Sequence, residues 1–208
     1  MKQEQDYIRD IAEIRSMMER SSKFLSLSGW AGVMAGIYAL AGAYIAYKIL
    51  YFNPGEIPFN TTNSGSLPSG LIKVVILAVI VLMLAIGTAI FHSYKNASRR
   101  GEKLWNATAR QLVISMAIPL ITGGLLILIL ITKGLIGLIA PFTLLFYGLA
   151  LFNAGKFTYV EVKSLGLIEI VFGLISSYFV EYGLLFWALG FGIVHIIYGI
   201  YMHYRYER

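Results

Sequence analysis

The chain has 208 residues, of which 58% are hydrophobic and only 13% charged, with a formal net charge of +6 and no cysteine. A soluble domain usually carries about 25% charged residues, so this composition excludes a single water-covered core and indicates an integral membrane protein. The absence of cysteine excludes disulfide frameworks, thiolate metal sites and cysteine nucleophiles.

The N-terminal segment, residues 1–23, is charged and amphipathic. Its apolar residues recur at three-, four- and seven-residue spacing opposite charged positions, which predicts a cytoplasmic helix lying along the membrane interface. Docking onto a membrane partner or a second copy of the chain is the alternative use of such a helix. The segment lacks the apolar core and cleavage site of a signal peptide, so we expect the mature protein to begin near Met1.

Six segments are long and apolar enough to be spanning helices, each of which needs about 20 residues. The first two are separated by an extracytoplasmic loop, residues 51–70, which is rich in proline, glycine and asparagine. The sequence predicts an all-α integral membrane protein whose six transmembrane helices form three hairpins behind the amphipathic helix. The transmembrane domain covers residues 24–204, with spans at about 24–50, 71–94, 111–132, 134–155, 164–180 and 182–204.

The 17 lysines and arginines are unevenly divided between the two sides of the predicted bundle. Only Lys48, Lys73 and Lys133 lie on one side, and the other 14 lie in the N-terminal arm, two loops and the tail. Positive residues accumulate on the cytoplasmic side, so we expect both termini in the cytoplasm. We attribute the net positive charge to the orientation of the chain in the membrane and to contact with the lipid bilayer. We expect no nucleic-acid partner, because the basic residues form no recognisable binding motif.

Small residues recur at helical spacing in several spans. Such stripes let helix backbones approach closely in a membrane, where no hydrophobic force draws helices together. We expect the stripes of the fifth and sixth helices to meet across the last hairpin. The predicted helix-packing residues are Gly32, Gly36, Gly166, Gly173, Gly192 and Gly199.

The segment Gly166-Leu-Ile-Glu-Ile-Val-Phe-Gly173 is echoed by Gly192-Ile-Val-His-Ile-Ile-Tyr-Gly199. With the three tandem hairpins, this pattern resembles the HdeD-type, short-repeat family of six-helix bacterial inner-membrane proteins. The resemblance covers the layout of the whole span region and implies a role in acid stress, without a defined catalytic site. The chain departs from the family in its 51–70 loop, its N-terminal helix and a Glu–His pair within the spans.

That pair is Glu169 and His195, which lie 13 residues before and 13 residues after Tyr182 at the turn of the last hairpin. Equal distance from the turn predicts equal depth in the membrane. Placing a titratable side chain inside a bilayer costs free energy, so each such residue is a candidate functional residue. One interpretation is a structural ion pair, and the other is a proton or ligand site that His92 and Asn153 could join.

Two functions stay open on this basis. The first is proton-linked transport or sensing of a small molecule through Glu169 and His195. The second is a non-catalytic accessory or stress-response role through partners bound by the N-terminal helix and the Arg99–Arg110 loop. An enzymatic activity ranks behind both, and we expect no catalytic residues, cofactor or metal, because no such motif is present. His195 and His203 are eight residues apart, about 12 Å along a helix, which is too far to share a metal without further ligands.

Overall fold

The computed structural model describes residues 23–52, 69–99, 101 and 103–207. Every regular element in these ranges is helical, which confirms the predicted all-α class. The predicted helix at 1–23 and loop at 51–70 lie outside the described residues, apart from their edges. Five helical segments are long and apolar enough to cross a membrane, namely Gly29–Ile49, Gly70–Arg99, Ala107–Thr132, Ile136–Ala154 and Val180–Tyr206.

The described helices are named α1 to α6 in chain order. The first three are α1 (Gly29–Tyr44, continued by a π-helical turn over Ile45–Ile49), α2 (Ser69–Arg99) and α3 (Ala107–Thr132). The next two are α4 (Ile139–Ala154, after a 3-10 turn over Ile136–Leu138) and α5 (Val160–Tyr178). A 3-10 turn over Val180–Tyr182 leads into α6, which consists of Gly183–Trp187, a π-helical segment over Ala188–Val194, and His195–Tyr206.

Helix α5 is the one predicted span that is not among the five. It holds Glu161, Lys163 and Glu169 within 19 residues, which is more charge than a spanning helix of this length usually carries. Its role as a sixth span stays a prediction, although the helix itself is present.

Glycines determine how the helices pack. A Cβ atom on Gly36 of α1 would lie 2.6 Å from the carbonyl oxygen of Gly192 on α6. A Cβ atom on Gly166 of α5 would lie 2.6 Å from the carbonyl oxygen of Gly148 on α4. Backbone therefore touches backbone at both interfaces, as small-residue stripes allow in membranes. Gly32 joins the first interface, where its nearest neighbour is Gly199.

The expected meeting of the α5 and α6 glycine stripes does not occur. Gly173 lies against Leu145 of α4, whereas Gly192 and Gly199 lie against Leu40 and Val33 of α1. The hairpins α1–α2 and α3–α4 do pack as pairs, but α5 packs mainly on α4 and α6 mainly on α1.

Helix rotation explains this correction. At about 100° per residue, Gly166 and Gly173 are turned by about 40–60° from Glu169 around α5, and the α6 glycines are turned similarly from His195. Each stripe can therefore face an outer neighbour while Glu169 and His195 remain between the two helices.

The first span begins as a helix five residues later than predicted. Residues 24–28 form no regular secondary structure and dock on the turn between α4 and α5. The Phe24 N–H donates to the Phe157 carbonyl at 2.7 Å, the Thr158 hydroxyl donates to the Phe24 carbonyl at 2.7 Å, and the Tyr159 hydroxyl donates to the Leu25 carbonyl at 2.8 Å. These tertiary hydrogen bonds use backbone groups that another helical turn would need.

Glu207 joins the start of α1 to the end of α6. Its Oε1 accepts hydrogen bonds from the Gly29 N–H at 2.8 Å and the Asn96 amide at 3.1 Å, and its Oε2 accepts one from His203 Nδ1 at 2.8 Å. A carboxylate suits a helix N-terminus, where N–H groups lack helical partners and the dipole is positive. Burial raises the pKa of Glu207, but hydrogen bonds from His203, Gly29, Ser28 and Asn96 outweigh it and hold the pKa below its ordinary value.

Glu207→Gln is expected to lower the free energy of unfolding by about 1.5–3 kcal/mol at pH 7, since hydrogen bonds to a charged group contribute about that much. Because the folded-state pKa is below the ordinary value of 4.5, this stabilisation is present above about pH 4.5 and is lost as the pH falls through the folded-state pKa. Thermal unfolding in detergent should therefore separate wild type and variant at pH 7 and bring them together in acid. Glu181→Gln, at an exposed carboxylate, is the control; an equal loss there would contradict the assignment.

Candidate functional site

Glu169 and His195 come together inside the bundle. His195 Nδ1 lies 3.3 Å from Glu169 Oε1, and the two residues are 5% and 0% exposed respectively. Glu169 comes from the middle of α5, and His195 begins the last segment of α6. Their equal distance from the turn between α5 and α6 places them at the same depth.

The π-helical segment Ala188–Val194 shapes the site on the α6 side. His195 Nδ1 donates to the Gly190 carbonyl at 2.9 Å. The His195 backbone N–H, which a π turn would direct to this carbonyl, donates to the Gly192 carbonyl instead. Gly190 also leaves room for the carboxyl group, since a Cβ atom there would lie 2.5 Å from Glu169 Oε2. Such π turns are frequent at functional sites.

Tyr147 of α4 is a third member that the sequence prediction missed. Its hydroxyl lies 3.0 Å from His195 Nε2, and its ring centre lies 5.5 Å from that of the imidazole. Because the Gly190 carbonyl can only accept, His195 carries its proton on Nδ1, and Nε2 accepts from the Tyr147 hydroxyl. A tyrosine within an apolar span was the available signal, but tyrosines are common in membrane proteins as interface anchors.

Glu169 is the least satisfied polar group of the site. Within the described part of the chain, neither of its oxygens accepts a hydrogen bond of ordinary geometry. Burial of an ionised carboxylate without hydrogen-bond donors costs several kcal/mol of free energy. The pair is therefore stable when the charges of Glu169 and His195 sum to zero. The arrangement can move a proton between His195 Nδ1 and Glu169 without creating net charge in the interior.

His92 and Asn153 are not brought into this site. Asn153 lies six residues beyond Tyr147 on α4, about 9 Å along the axis. His92 lies on α2, where its ring packs against Phe91 with centres 5.6 Å apart. Helix α2 packs on α1, which keeps it away from α5. Across the described ranges, the polar contacts of Glu169 and His195 are with each other, Tyr147 and Gly190.

An apolar cleft with a volume of about 130 Å³ lies between α1, α2, α4 and the start of α6. Among its lining residues, only Thr143 and Trp187 carry a polar side-chain atom. The Trp187 ring centre lies 5.1 Å from that of Phe191, which stacks on His195 at 5.8 Å and 24°. Aromatic contacts therefore connect the cleft wall to the Glu169/His195 pair.

The described residues include no group of three or more His, Asp or Glu side chains placed to hold a metal ion. His203 is engaged with Glu207 at the end of α6. The groups that meet at the Glu169/His195 pair, a carboxyl group, an imidazole and a phenol, can exchange protons with one another.

No family model matches the chain, and neither the curated proteins nor the solved structures contain a match. The resemblance to the HdeD-type family accordingly stays a prediction.

Proposed function

We propose that this chain is a multi-pass protein of the bacterial inner membrane, with both termini in the cytoplasm, that binds and releases a proton at Glu169 and His195 during transport or sensing of a small molecule. The observation that carries this proposal is the Glu169 carboxyl group, which is fully buried and accepts no ordinary hydrogen bond from the described residues. Buried polar groups that serve only structure are normally satisfied. Titratable groups inside a membrane domain usually serve function.

Two neighbouring features support coupling of the proton to a wider change. The π-helical segment Ala188–Val194 supplies the carbonyl that binds His195, so a change in that hydrogen bond acts directly on the backbone of α6. The Trp187–Phe191 contact connects this segment to the cleft, whose lining suits an apolar ligand. The acid-stress role implied by the HdeD-type resemblance agrees with a proton-responsive site.

Glu169→Gln tests the proposal because it keeps the shape of the side chain and removes the ionisable proton. In wild-type protein reconstituted into liposomes, infrared difference spectroscopy should show a carboxylic C=O band that changes when the pH is changed. The band should be absent in Glu169→Gln and retained in Glu181→Gln, the exposed control.

The structural interpretation predicts a different result. If Glu169→Gln and His195→Gln only lower the temperature of unfolding in detergent, and wild type shows no pH-dependent carboxyl band, the pair is structural and the proposal fails. Retention of the same band in Glu169→Gln would assign the proton to another group and would also contradict it.

A second function, an accessory or stress-response role through a membrane partner or a second copy of the chain, is favoured by the docking of residues 24–28. The hydrogen bonds from Phe24 and Thr158 fix the base of the N-terminal arm on the turn between α4 and α5. Removal of residues 1–20 would then abolish partner binding and leave the helices folded. Undiminished recovery of the partner would count against this role.

A further inference from the structure

The six helices fall into two halves that run in opposite directions, α1–α3 and α4–α6. The hairpin end of the bundle is the end that holds the turn between α5 and α6, and the terminal end is the opposite one. The apolar cleft lies at the hairpin end, between the last part of α1 and the first parts of α2, α4 and α6. At this end α1 therefore finishes where α4 begins, and α2 begins where α5 finishes. Two halves of three helices with opposite directions have the arrangement of an inverted repeat.

The packing of the helices follows the same exchange of halves, which pairs α1 with α4, α2 with α5 and α3 with α6. Helix α1 packs on α2 and α6, and its counterpart α4 packs on α5 and α3. Gly36 of α1 lies against Gly192 of α6, and Gly123 of α3 lies against Phe146 of α4. The first helix of each half is therefore held by its own second helix and by the third helix of the other half.

The buried hydrophobic core lies where this exchange would place a second cleft. The counterpart of the cleft is the space at the terminal end between the end of α4 and the starts of α5, α1 and α3. Core residues fill that space: Leu151 and Ala154 of α4, Val162 and Leu165 of α5, and Ala109 and Leu112 of α3. The bundle is therefore packed at the terminal end in the place that is open at the hairpin end.

The cleft and the core also use residues at the same spacing. The cleft residues on the corresponding helices include Ala43 and Ala46 of α1, Val74 and Leu77 of α2, and Leu184 and Trp187 of α6. The two residues of each pair are three positions apart, as they are in each core pair. Residues three apart share one face of a helix. Corresponding faces of the two halves therefore meet in the core and are separated at the cleft.

The Glu169/His195 pair lies between the cleft and the core. On the cleft side, Trp187 contacts Phe191, which stacks on His195. On the core side, Tyr147 packs against the core, and its hydroxyl lies 3.0 Å from His195 Nε2. A change of charge or hydrogen bonding at the pair therefore acts on side chains that reach both ends of the bundle.

The third helix of each half is interrupted near its middle. Helix α6 contains the π-helical segment Ala188–Val194, and its counterpart α3 contains Pro119. Prolines and π-helical turns are identifiable causes of bends in helices. In transporters built from inverted repeats, interrupted helices in corresponding positions of the two halves indicate the binding site. Each half therefore has one helix that can bend between the two ends of the bundle.

We propose that the two halves rock against each other, so that the cleft and the core open in alternation and an uncharged apolar solute crosses the membrane past the Glu169/His195 pair. The inference rests on the proposed function, because it takes proton exchange at this pair as the event that shifts the balance between the two states. Tyr147 is the titratable group that faces the pair from α4. Helix α1 meets the backbone of His195 through Gly32, which adds no charge.

The lining of the cleft indicates the kind of solute. Among the described lining residues none is charged, and only Thr143 and Trp187 carry a polar side-chain atom. Pockets with such a lining bind apolar ligands. The cleft volume of about 130 Å³ is close to the volume of roughly 150 Å³ of an apolar protein cavity that binds benzene. The structure is the state that admits a solute of this size from the hairpin end.

Spin labels at both ends test the alternation, and the absence of native cysteine allows each label to be placed by substitution alone. Ile72→Cys with Leu185→Cys labels the two sides of the cleft, and Val160→Cys with Arg110→Cys labels the corresponding positions beside the core. All four native side chains are exposed.

Pulsed electron paramagnetic resonance in liposomes should show two distances for each labelled pair, with fractions that change with pH. In the second population the distance across the cleft should be shorter and the distance across the core longer, each by more than about 2 Å. The fraction of the second population should be the same at both ends. Glu169→Gln in the labelled proteins should make these fractions independent of pH.

Val160→Cys with Tyr178→Cys is the control pair, because both residues belong to α5 and lie about 27 Å apart along its axis. This pair should keep one distance at every pH. A single unchanged distance at both ends, in protein whose Glu169 carboxyl band responds to pH, would overturn the alternation while the proposed function stands. Lengthening at both ends together would also overturn it, because the bundle would then loosen as a whole. Opposite changes that respond to pH equally in Glu169→Gln would support the alternation and contradict the proposed function.

Discussion

Gly166→Val is expected to lower the free energy of unfolding by at least about 3 kcal/mol, or to prevent folding. A Cβ atom at this position would lie 2.6 Å from the Gly148 carbonyl oxygen and 2.6 Å from the Phe152 backbone nitrogen. Neither neighbour is a flexible side chain, so α4 and α5 must move apart along their whole contact. Overpacking commonly costs about 1–3 kcal/mol, and a clash with backbone lies at the upper end or beyond.

Thermal unfolding and size-exclusion chromatography in detergent measure this effect, with Gly124→Val on α3 as the matched control. Gly124 has no atom within 4 Å of its Cβ position, so its substitution should change stability by no more than about 0.5 kcal/mol. Equal stability of Gly166→Val and wild type would show that α4 and α5 do not pack through Gly166 and Gly148.

Gly190→Ala should abolish the pH-dependent carboxyl band of Glu169 while leaving the protein folded. Its methyl group would lie 2.5 Å from Glu169 Oε2 and 2.7 Å from Leu144 Cδ2. Leu144 is completely buried and has little space to retreat. The carboxyl group must therefore turn away from His195, which separates the two titratable groups. Infrared titration of the variant beside wild type measures the loss.

Gly183→Ala is the control for this substitution, because the nearest atom to its Cβ position is 3.6 Å away, which is ordinary van der Waals contact. It should retain the band with an unchanged midpoint. A normal titration in Gly190→Ala would show that the carboxyl group does not depend on the space beside Gly190, and would contradict the described geometry of the pair.

The sequence was sufficient for the helical class and for the contact between Glu169 and His195. Runs without charged residues indicate apolar helices directly. Residues that are equally far in sequence from a tight turn lie at the same depth in the two helices that the turn joins. The partners of the glycine stripes could not be obtained in this way. Spacing shows that Gly192 and Gly199 share a face of α6, but the choice of α1 as their neighbour depends on how all the helices are arranged.

Two other differences between the sequence prediction and the structure also arise from tertiary contacts. Residues 24–28 carry no charge and therefore resemble the start of a span, but hydrogen bonds with Phe157, Thr158 and Tyr159 hold them outside the helix. Tyr147 is joined to the site by the packing of α4, and no turn relates its depth to that of His195. Distance from a turn could identify the pair on α5 and α6, and it could not identify their partner on α4.

The contact between Gly36 and Gly192 also constrains how the protein is made. The two glycines are 156 positions apart in the chain, and ribosomes add about 5–20 residues per second. The first helix therefore waits roughly 8–30 s after its own synthesis before the surface that covers its glycines has been translated. Until then that groove faces lipid, and a chain that terminates before the last helix never covers it.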